Sequence, residues 1–165
     1  MIHPQYWSLY SVYQRLRYGG ESLLTPEDRK WYATLPLKDA VVLDVGAYNG
    51  DSAKFFLEHG AKQVICIEPD VEQALKIEDP RCRVIIDIFR LEHLHIPHDC
   101  AKIDIEGWEE ALLDLDPRTL KPTIVEVHGQ QLWEKFRKRG WVIAWRSPNA
   151  DCVALACNYL FKEVP

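Results

Sequence analysis

Asp104 and Glu106 stand in AKIDIEGWEE (residues 101–110), alternating with apolar side chains where an apolar run ends. An ionised carboxylate in a dry interior is costly unless it is paired. Two of them closing a buried strand predict a wet, polar cleft at that strand's end. Residues two apart on a strand share a face, so both acids are expected to look into the same space. Upstream, LDVGAYNGDS sets Asp44, Gly46 and Gly50 at D-x-G-x-x-x-G spacing, where an apolar run gives way to a helical pattern. This is not the three-glycine fingerprint G-x-G-x-x-G that admits a pyrophosphate. Gly46 is expected to free the turn and Gly50 to let backbone approach a ligand closely. The helix start beside them favours an anion, carboxylate or phosphate. Glu68 closes the next apolar run, in QVICIEP. An acid after the second strand of a doubly wound fold accepts hydrogen bonds from the hydroxyls of a ribose.

From Ala40 onward, two patterns alternate to supply the elements that hold these residues. AVVLDVG, QVICIEP, RVIIDIF, CAKIDIEG and PTIVEVH read as strands, the first of them buried on both faces. Helices are expected over 52–60, 71–77, 108–115 and 130–139. Such alternation implies a parallel, doubly wound sheet. GWVIAWR and DCVALACNYLFKE are joined only by SPNA, too short for a parallel crossover, so they are expected to pair as a hairpin. The expected fold class is α/β: a doubly wound, seven-stranded, mostly parallel sheet with a terminal antiparallel hairpin and an N-terminal helical cap. Residues 1–39 form the cap and residues 40–165 the main body of the same domain. One cap helix covers 4–17, with an aromatic stripe of Trp7, Tyr10 and Tyr13 that packs on the sheet or serves as a lid. A second starts after Thr25, with Pro26 at its first position and Glu27 and Asp28 in its first turn.

The 165 residues, 47% of them hydrophobic, suffice for one globular core without metal or disulfide. A net charge of −5 argues against a general grip on nucleic acid, which needs a basic face. Lys135, Arg137, Lys138 and Arg139 are expected to form a solvated helix face. No apolar run approaches the ~20 residues of a membrane span. The first twenty residues lack the charged-then-apolar layout of a secretory signal, so the cytoplasm is the expected compartment. Cys66, Cys82, Cys100, Cys152 and Cys157 are odd in number and contain no CxxC, as expected of small buried hydrophobes. His93, His95 and His98 crowd HLHIPHDC, and imidazoles suit zinc, copper or nickel. The tract precedes the fourth strand, at the end of the sheet opposite the cleft, so a histidine-rich surface loop is expected there.

Taken in order, LDVGAYNGDSAKFF, CIEPD, KIDIEGWEEALL and IVEVH resemble the FkbM-like family of class I S-adenosylmethionine-dependent methyltransferases. That family carries D-x-G-A-x-x-G, an E-P pair, K-x-D-x-E-G-x-E and a final E-x-H. The resemblance runs over residues 41–128 and leaves out the N-terminal helices. It implies S-adenosyl-L-methionine as cofactor, with Asp44, Gly46, Ala47 and Gly50 at the methionine part, flanked by Tyr48 and Ser52. Glu68, followed by Pro69, would hold the ribose, and Asp87 and Ile88 would lie at the adenine. It also implies a fourth strand beside the first, which brings Asp104 next to the transferable methyl, where it orients the cofactor's amino group or the acceptor.

A hydroxyl acceptor gains from a general base, and Glu106 and His128 are the candidates for taking its proton. His128 ends the fifth strand in VEVHG, and the unperturbed pKa of histidine suits a base near neutrality. Asp104, Glu106 and His128 are therefore the expected catalytic set, with Glu126 placed to orient His128 or the acceptor. Glu109 and Glu110 follow Gly107 in the first turn of a helix, which acids stabilise; Glu109 also matches the family's second acid. Trp108 replaces the small residue common there and either narrows the pocket or packs. The resemblance implies O-methylation of a small hydroxylated acceptor such as a sugar (EC 2.1.1). RNA or protein methylation, and a catalytically silent S-adenosylmethionine-binding partner subunit, are the alternatives. The segment 90–99 is short for a crossover helix, so the N-terminal helices or the second subunit of a homodimer are expected to cover the cleft. The expected partner is the small-molecule acceptor, with neither nucleic acid nor membrane, and no residue pattern requires a metal at Asp104 or its neighbouring acids.

Overall fold

The computed structural model describes residues 24–146 and 152–156. The expected helix over 4–17 and the SPNA connection lie outside the described residues. Five apolar runs form parallel strands: β1 (Val41–Val45), β2 (Gln63–Ile67), β3 (Cys82–Ile85), β4 (Cys100–Ile103) and β5 (Thr123–Val127). β1 is central, with β2 and then β3 on one side and β4 and then β5 on the other. The chain order therefore reverses between β1 and β4, and open α/β sheets bind ligands in the crevice outside the strand ends at such a switch. Beyond β5 lies β7 (Cys152–Ala156), antiparallel to it, and β6 (Val142–Arg146) pairs antiparallel with β7.

The helices follow from local signals. α1 (Pro26–Tyr32) opens on a capping box: the Thr25 hydroxyl accepts from the Asp28 N–H at 3.1 Å, and the Asp28 carboxylate accepts from the Thr25 N–H at 2.8 Å. α2 (Asp51–Glu58) follows the glycine turn, and α4 (Gln130–Lys138) follows β5. Two expected helices are shorter or tighter than their sequence pattern. α3 covers only Val71–Ala74, after which the Lys76 and Ile77 N–H groups reach back three residues, to Gln73 and Ala74. Pro80 lies ahead and pushes Asp79 away from helical geometry. In place of a helix over 108–115 stands a 3₁₀ segment, Glu109–Asp114. Its three residues per turn stack Glu109 and Leu112 on the same inward side, and both are fully buried. Leu91–His95 is likewise 3₁₀, and it joins β3 to β4 without a crossover α-helix.

Alternation along the strands divides the core into two layers. Val42 and Val64 pack with Phe55 and Phe56 of α2 and with Trp31 and Tyr32 of α1. Leu43, Val45, Ile65, Ile67 and Ile103 pack on the other face with Leu112, Phe136 and Trp141. Full burial of one such side chain contributes ~1.5–3 kcal/mol. The Tyr32 ring lies 5.4 Å from that of Phe56, so α1 is packed into the first layer. Among the described residues, no helix is long and apolar enough to cross a membrane.

Candidate active site

A solvent-open cleft lies at the carboxyl ends of β1, β2 and β4, lined by Gly46, Ile67, Pro69, Ile88, Phe89, Asp104 and Trp108 among others. Its walls are mostly apolar, with Asp104 as the charged exception. Gly46 has φ +73°, and a Cβ there would sit 1.8 Å from the Asp104 carbonyl oxygen. The turn after β1 therefore touches the end of β4, which only glycine permits. Gly50, at φ +90°, is pressed instead by Ile77, 3.0 Å from where its Cβ would be. The close approach expected at Gly50 is thus to a side chain of the protein.

The glycine turn also differs from the expected anion cradle. The Gly46 and Ala47 N–H groups donate to the Ile67 carbonyl at 2.9 and 3.3 Å, and the Gly50 N–H donates to the Ala47 carbonyl. The Tyr48 N–H donates to Glu68 at 2.8 Å, and so does the Asp70 N–H, each to a different carboxylate oxygen. Glu68 is nearly buried, and that burial raises its pKa against the lowering effect of the two N–H bonds. Each oxygen keeps a lone pair for one further donor.

Asp44 and Ser52 face one another. The Ser52 hydroxyl donates to Asp44 Oδ2 at 2.6 Å, with Asp44 wholly buried. The other Asp44 oxygen lies 3.5 Å from Lys102 Nζ, which also stands 3.8 Å from Asp104 Oδ2 and donates to the Gly46 carbonyl at 2.8 Å. Burial alone would lower the Lys102 pKa, but the charges of Asp44, Asp104 and Glu126 outweigh it and raise the pKa, so the ammonium persists. Sequence reasoning passed over Lys102. A signal existed, since a lysine inside CAKI, in register with Asp44 on β1, needs a buried acid as partner.

Asp87 departs from its expected position. β3 ends at Ile85, and the Asp87 carboxylate accepts from the Ile88 N–H at 2.8 Å and pairs with Arg90 and His93. Asp87 is not among the residues lining the cleft, whereas Ile88 is.

The two acids of the opening motif converge on His128. β4 stops at Ile103, but Glu106 at φ +49° and Gly107 at φ +94° turn the chain back. His128 Nε2 consequently lies 3.4 Å from Glu106 Oε2 and 3.9 Å from Asp104 Oδ1. Its other nitrogen, Nδ1, bonds at 2.9 Å to Oε1 of the fully buried Glu109, which also accepts from the Gly107 N–H. Burial would lower the His128 pKa, but the Glu109 bond and the charges of Asp104 and Glu106 raise it to about 10. At neutral pH His128 is therefore an imidazolium, not the poised neutral base expected from its unperturbed pKa. Glu126 does not orient it: the Glu126 carboxylate accepts from the Tyr32 hydroxyl of α1, and burial with Asp104 and Asp28 nearby raises its pKa to about 8. Glu109 does the orienting, and Glu110 pairs on the surface with Lys135. In the histidine tract, His93 and His98 are held by separate partners, the Arg90 N–H and the Ile96 carbonyl.

The fold is that of the Rossmann-like, class I methyltransferases. Precorrin-6y C5,15-methyltransferase from Geobacter metallireducens GS-15 superposes with a TM-score of 0.60 at 15% identity, over 83% of this chain and 90% of that one. The 1,6-didemethyltoxoflavin-N1-methyltransferase of Burkholderia thailandensis, solved with bound S-adenosylhomocysteine, superposes with a TM-score of 0.50 at 18% identity, over 94% and 91% of the two chains. In sequence, the chain is 37% identical over 94 residues to a tRNA U34 carboxymethyltransferase of Cellvibrio japonicus (strain Ueda107). That match takes in 54% of this chain and 26% of the relative, so the chain spans about a quarter of that protein's length. No family model matches the chain.

Proposed function

We propose that this chain is an S-adenosylmethionine-dependent methyltransferase (EC 2.1.1) acting on the hydroxyl of a small acceptor such as a sugar. What supports this reading is the gathering of Glu106 and His128 around Asp104, which lines the cleft, together with Glu68 between the cleft-lining Ile67 and Pro69. The residues fit the cofactor. Ile67, Pro69, Ile88 and Phe89 offer apolar faces for an adenine, Glu68 keeps lone pairs for ribose hydroxyls, and Asp104 Oδ1 is buried without a hydrogen-bond partner. When bound, S-adenosylmethionine supplies a sulfonium-activated methyl that passes to the acceptor oxygen while the C–S electron pair stays on sulfur. The chain's part is alignment, exclusion of water and removal of one proton. With His128 already protonated, the Glu106 carboxylate takes the acceptor's hydroxyl proton, and the imidazolium beside it orients that carboxylate. Asp104, on the cleft wall, would hold the cationic end of the cofactor. The ordered run of motifs supports a place among the FkbM-like enzymes.

A second reading, methylation of RNA, is favoured by the tRNA enzyme matched in sequence and by exposed Lys135, Arg137 and Lys138 on α4, past His128. An affinity for RNA that falls steeply with salt would support it. Calorimetric titration with S-adenosylmethionine tests the shared basis of both. Micromolar binding that weakens at least tenfold in Glu68→Ala is expected; no heat of binding by the intact chain would overturn the proposal.

A further inference from the structure

The His128 cluster contains more ligating capacity than a proton transfer uses. Asp104, Glu106 and His128 each offer one ligand atom, and the three atoms lie within 4.8 Å of one another. Ligand atoms held at ~2.0–2.2 Å by a common first-row ion are themselves about 3–4 Å apart, close to the 3.4 and 3.9 Å found here between His128 Nε2 and the two carboxylates. Two further features separate this group from a chance gathering of surface acids. The imidazole is already oriented, since its Nδ1 bonds to the fully buried Glu109 and leaves Nε2 facing the acids. A carboxylate behind a ligating histidine is the usual means of fixing its tautomer and raising its basicity. Second, Asp104 Oδ1, on the cluster side, is a buried oxygen with no hydrogen-bond partner. Lys102 stands at the other oxygen, Oδ2. Such an orphan is costly unless something binds it.

We propose that Asp104, Glu106 and His128 bind one divalent first-row cation such as Mn²⁺ or Zn²⁺, which displaces the Nε2 proton of His128 to solvent, with Glu109 as the residue that positions His128. Two carboxylates and one imidazole form a mixed oxygen–nitrogen set suited to such ions. Three protein ligands leave positions open for water or for an acceptor oxygen. Cation binding rests on the cluster alone. Its meaning for catalysis rests on the methyl-transfer reading, with the ion in place of Glu106 as the group that activates the acceptor: it would polarise the acceptor hydroxyl, whose proton would leave to solvent.

Electron paramagnetic resonance with Mn²⁺, on the full chain without S-adenosylmethionine, tests the site. The expected result is one immobilised Mn²⁺ per chain. Binding should be lost in His128→Ala and in the isosteric Glu106→Gln, weakened ~10–100-fold in Glu109→Gln, and unchanged in Glu110→Gln, which alters only a surface pair. Thermal melts check that each variant is folded. Mn²⁺ remaining free with the intact chain, or binding retained in folded His128→Ala and Glu106→Gln, overturns the proposal. The cofactor is absent from the assay, so failure here leaves the S-adenosylmethionine titration to stand or fall separately.

Discussion

Lys102 is the residue on which the polar interior turns. Its ammonium, with side-chain exposure of 3%, is shared among the Asp44 and Asp104 carboxylates and the Gly46 carbonyl. Removing one partner of a buried pair leaves an uncompensated charge and costs ~3–5 kcal/mol. Lys102→Met keeps most of the stem and should lower the unfolding free energy by about that amount in urea titration. Lys102→Met with Asp44→Asn should recover part of the loss; full stability of the single variant would show that the pair is not structural. Similar logic explains His128. Sequence reasoning reached its position and its neighbours, but three surrounding carboxylates decide its proton, and two of them arrive through a turn and a 3₁₀ segment.

At the scale of elements, the glycine turn is a contact between strands before it is anything else. Gly46 brings the end of β1 against the backbone of Asp104, and its neighbours' N–H groups are spent on Ile67 and Glu68. A non-glycine residue in left-handed geometry costs ~1–2 kcal/mol, and the clash with a backbone oxygen adds to it. Gly46→Ala should therefore destabilise the fold by more than about 2 kcal/mol in thermal melts. It should also weaken S-adenosylmethionine binding in the folded fraction, because the ends of β1 and β4 must separate. An unchanged melting temperature would mean that the turn has room the structure does not show. The five parallel strands were legible because each is a continuous apolar run bounded by turn residues. The helices at 71–77 and 108–115 were overestimated because periodicity does not register a proline ahead or the inward pull on Glu109.

For the whole molecule, stability against pH sums groups scattered through the fold, and His98 provides a separable contribution. It sits half-buried before β4 with its Nδ1 at 2.7 Å from the Ile96 carbonyl. Burial lowers its pKa from 6.5, reinforced by the charge of Lys121 and opposed by the Ile96 bond and the Asp99 charge. The unfolded chain then binds the proton more readily than the folded one, so stability rises with pH. The contribution of His98 is complete above pH 6.5 and is lost as pH falls through its lowered folded value. The difference in unfolding free energy between the native chain and His98→Gln should change with pH below 6.5 and be flat above it. A constant difference across that range would show that burial does not hold His98 neutral.

By itself, the sequence determined the parallel strands of the α/β architecture and singled out Asp104, Glu106 and His128 near the ends of β4 and β5, which lie close together. Apolar period and turn chemistry are local properties, and residues that close adjacent parallel strands must meet. Only the tertiary structure decided that Lys102 lies opposite Asp44, that Asp87 turns away to Arg90, and that Glu109 folds inward to hold His128. Each of these depends on strand register or on a single turn's winding. A shift of one residue there redirects a side chain to the other face.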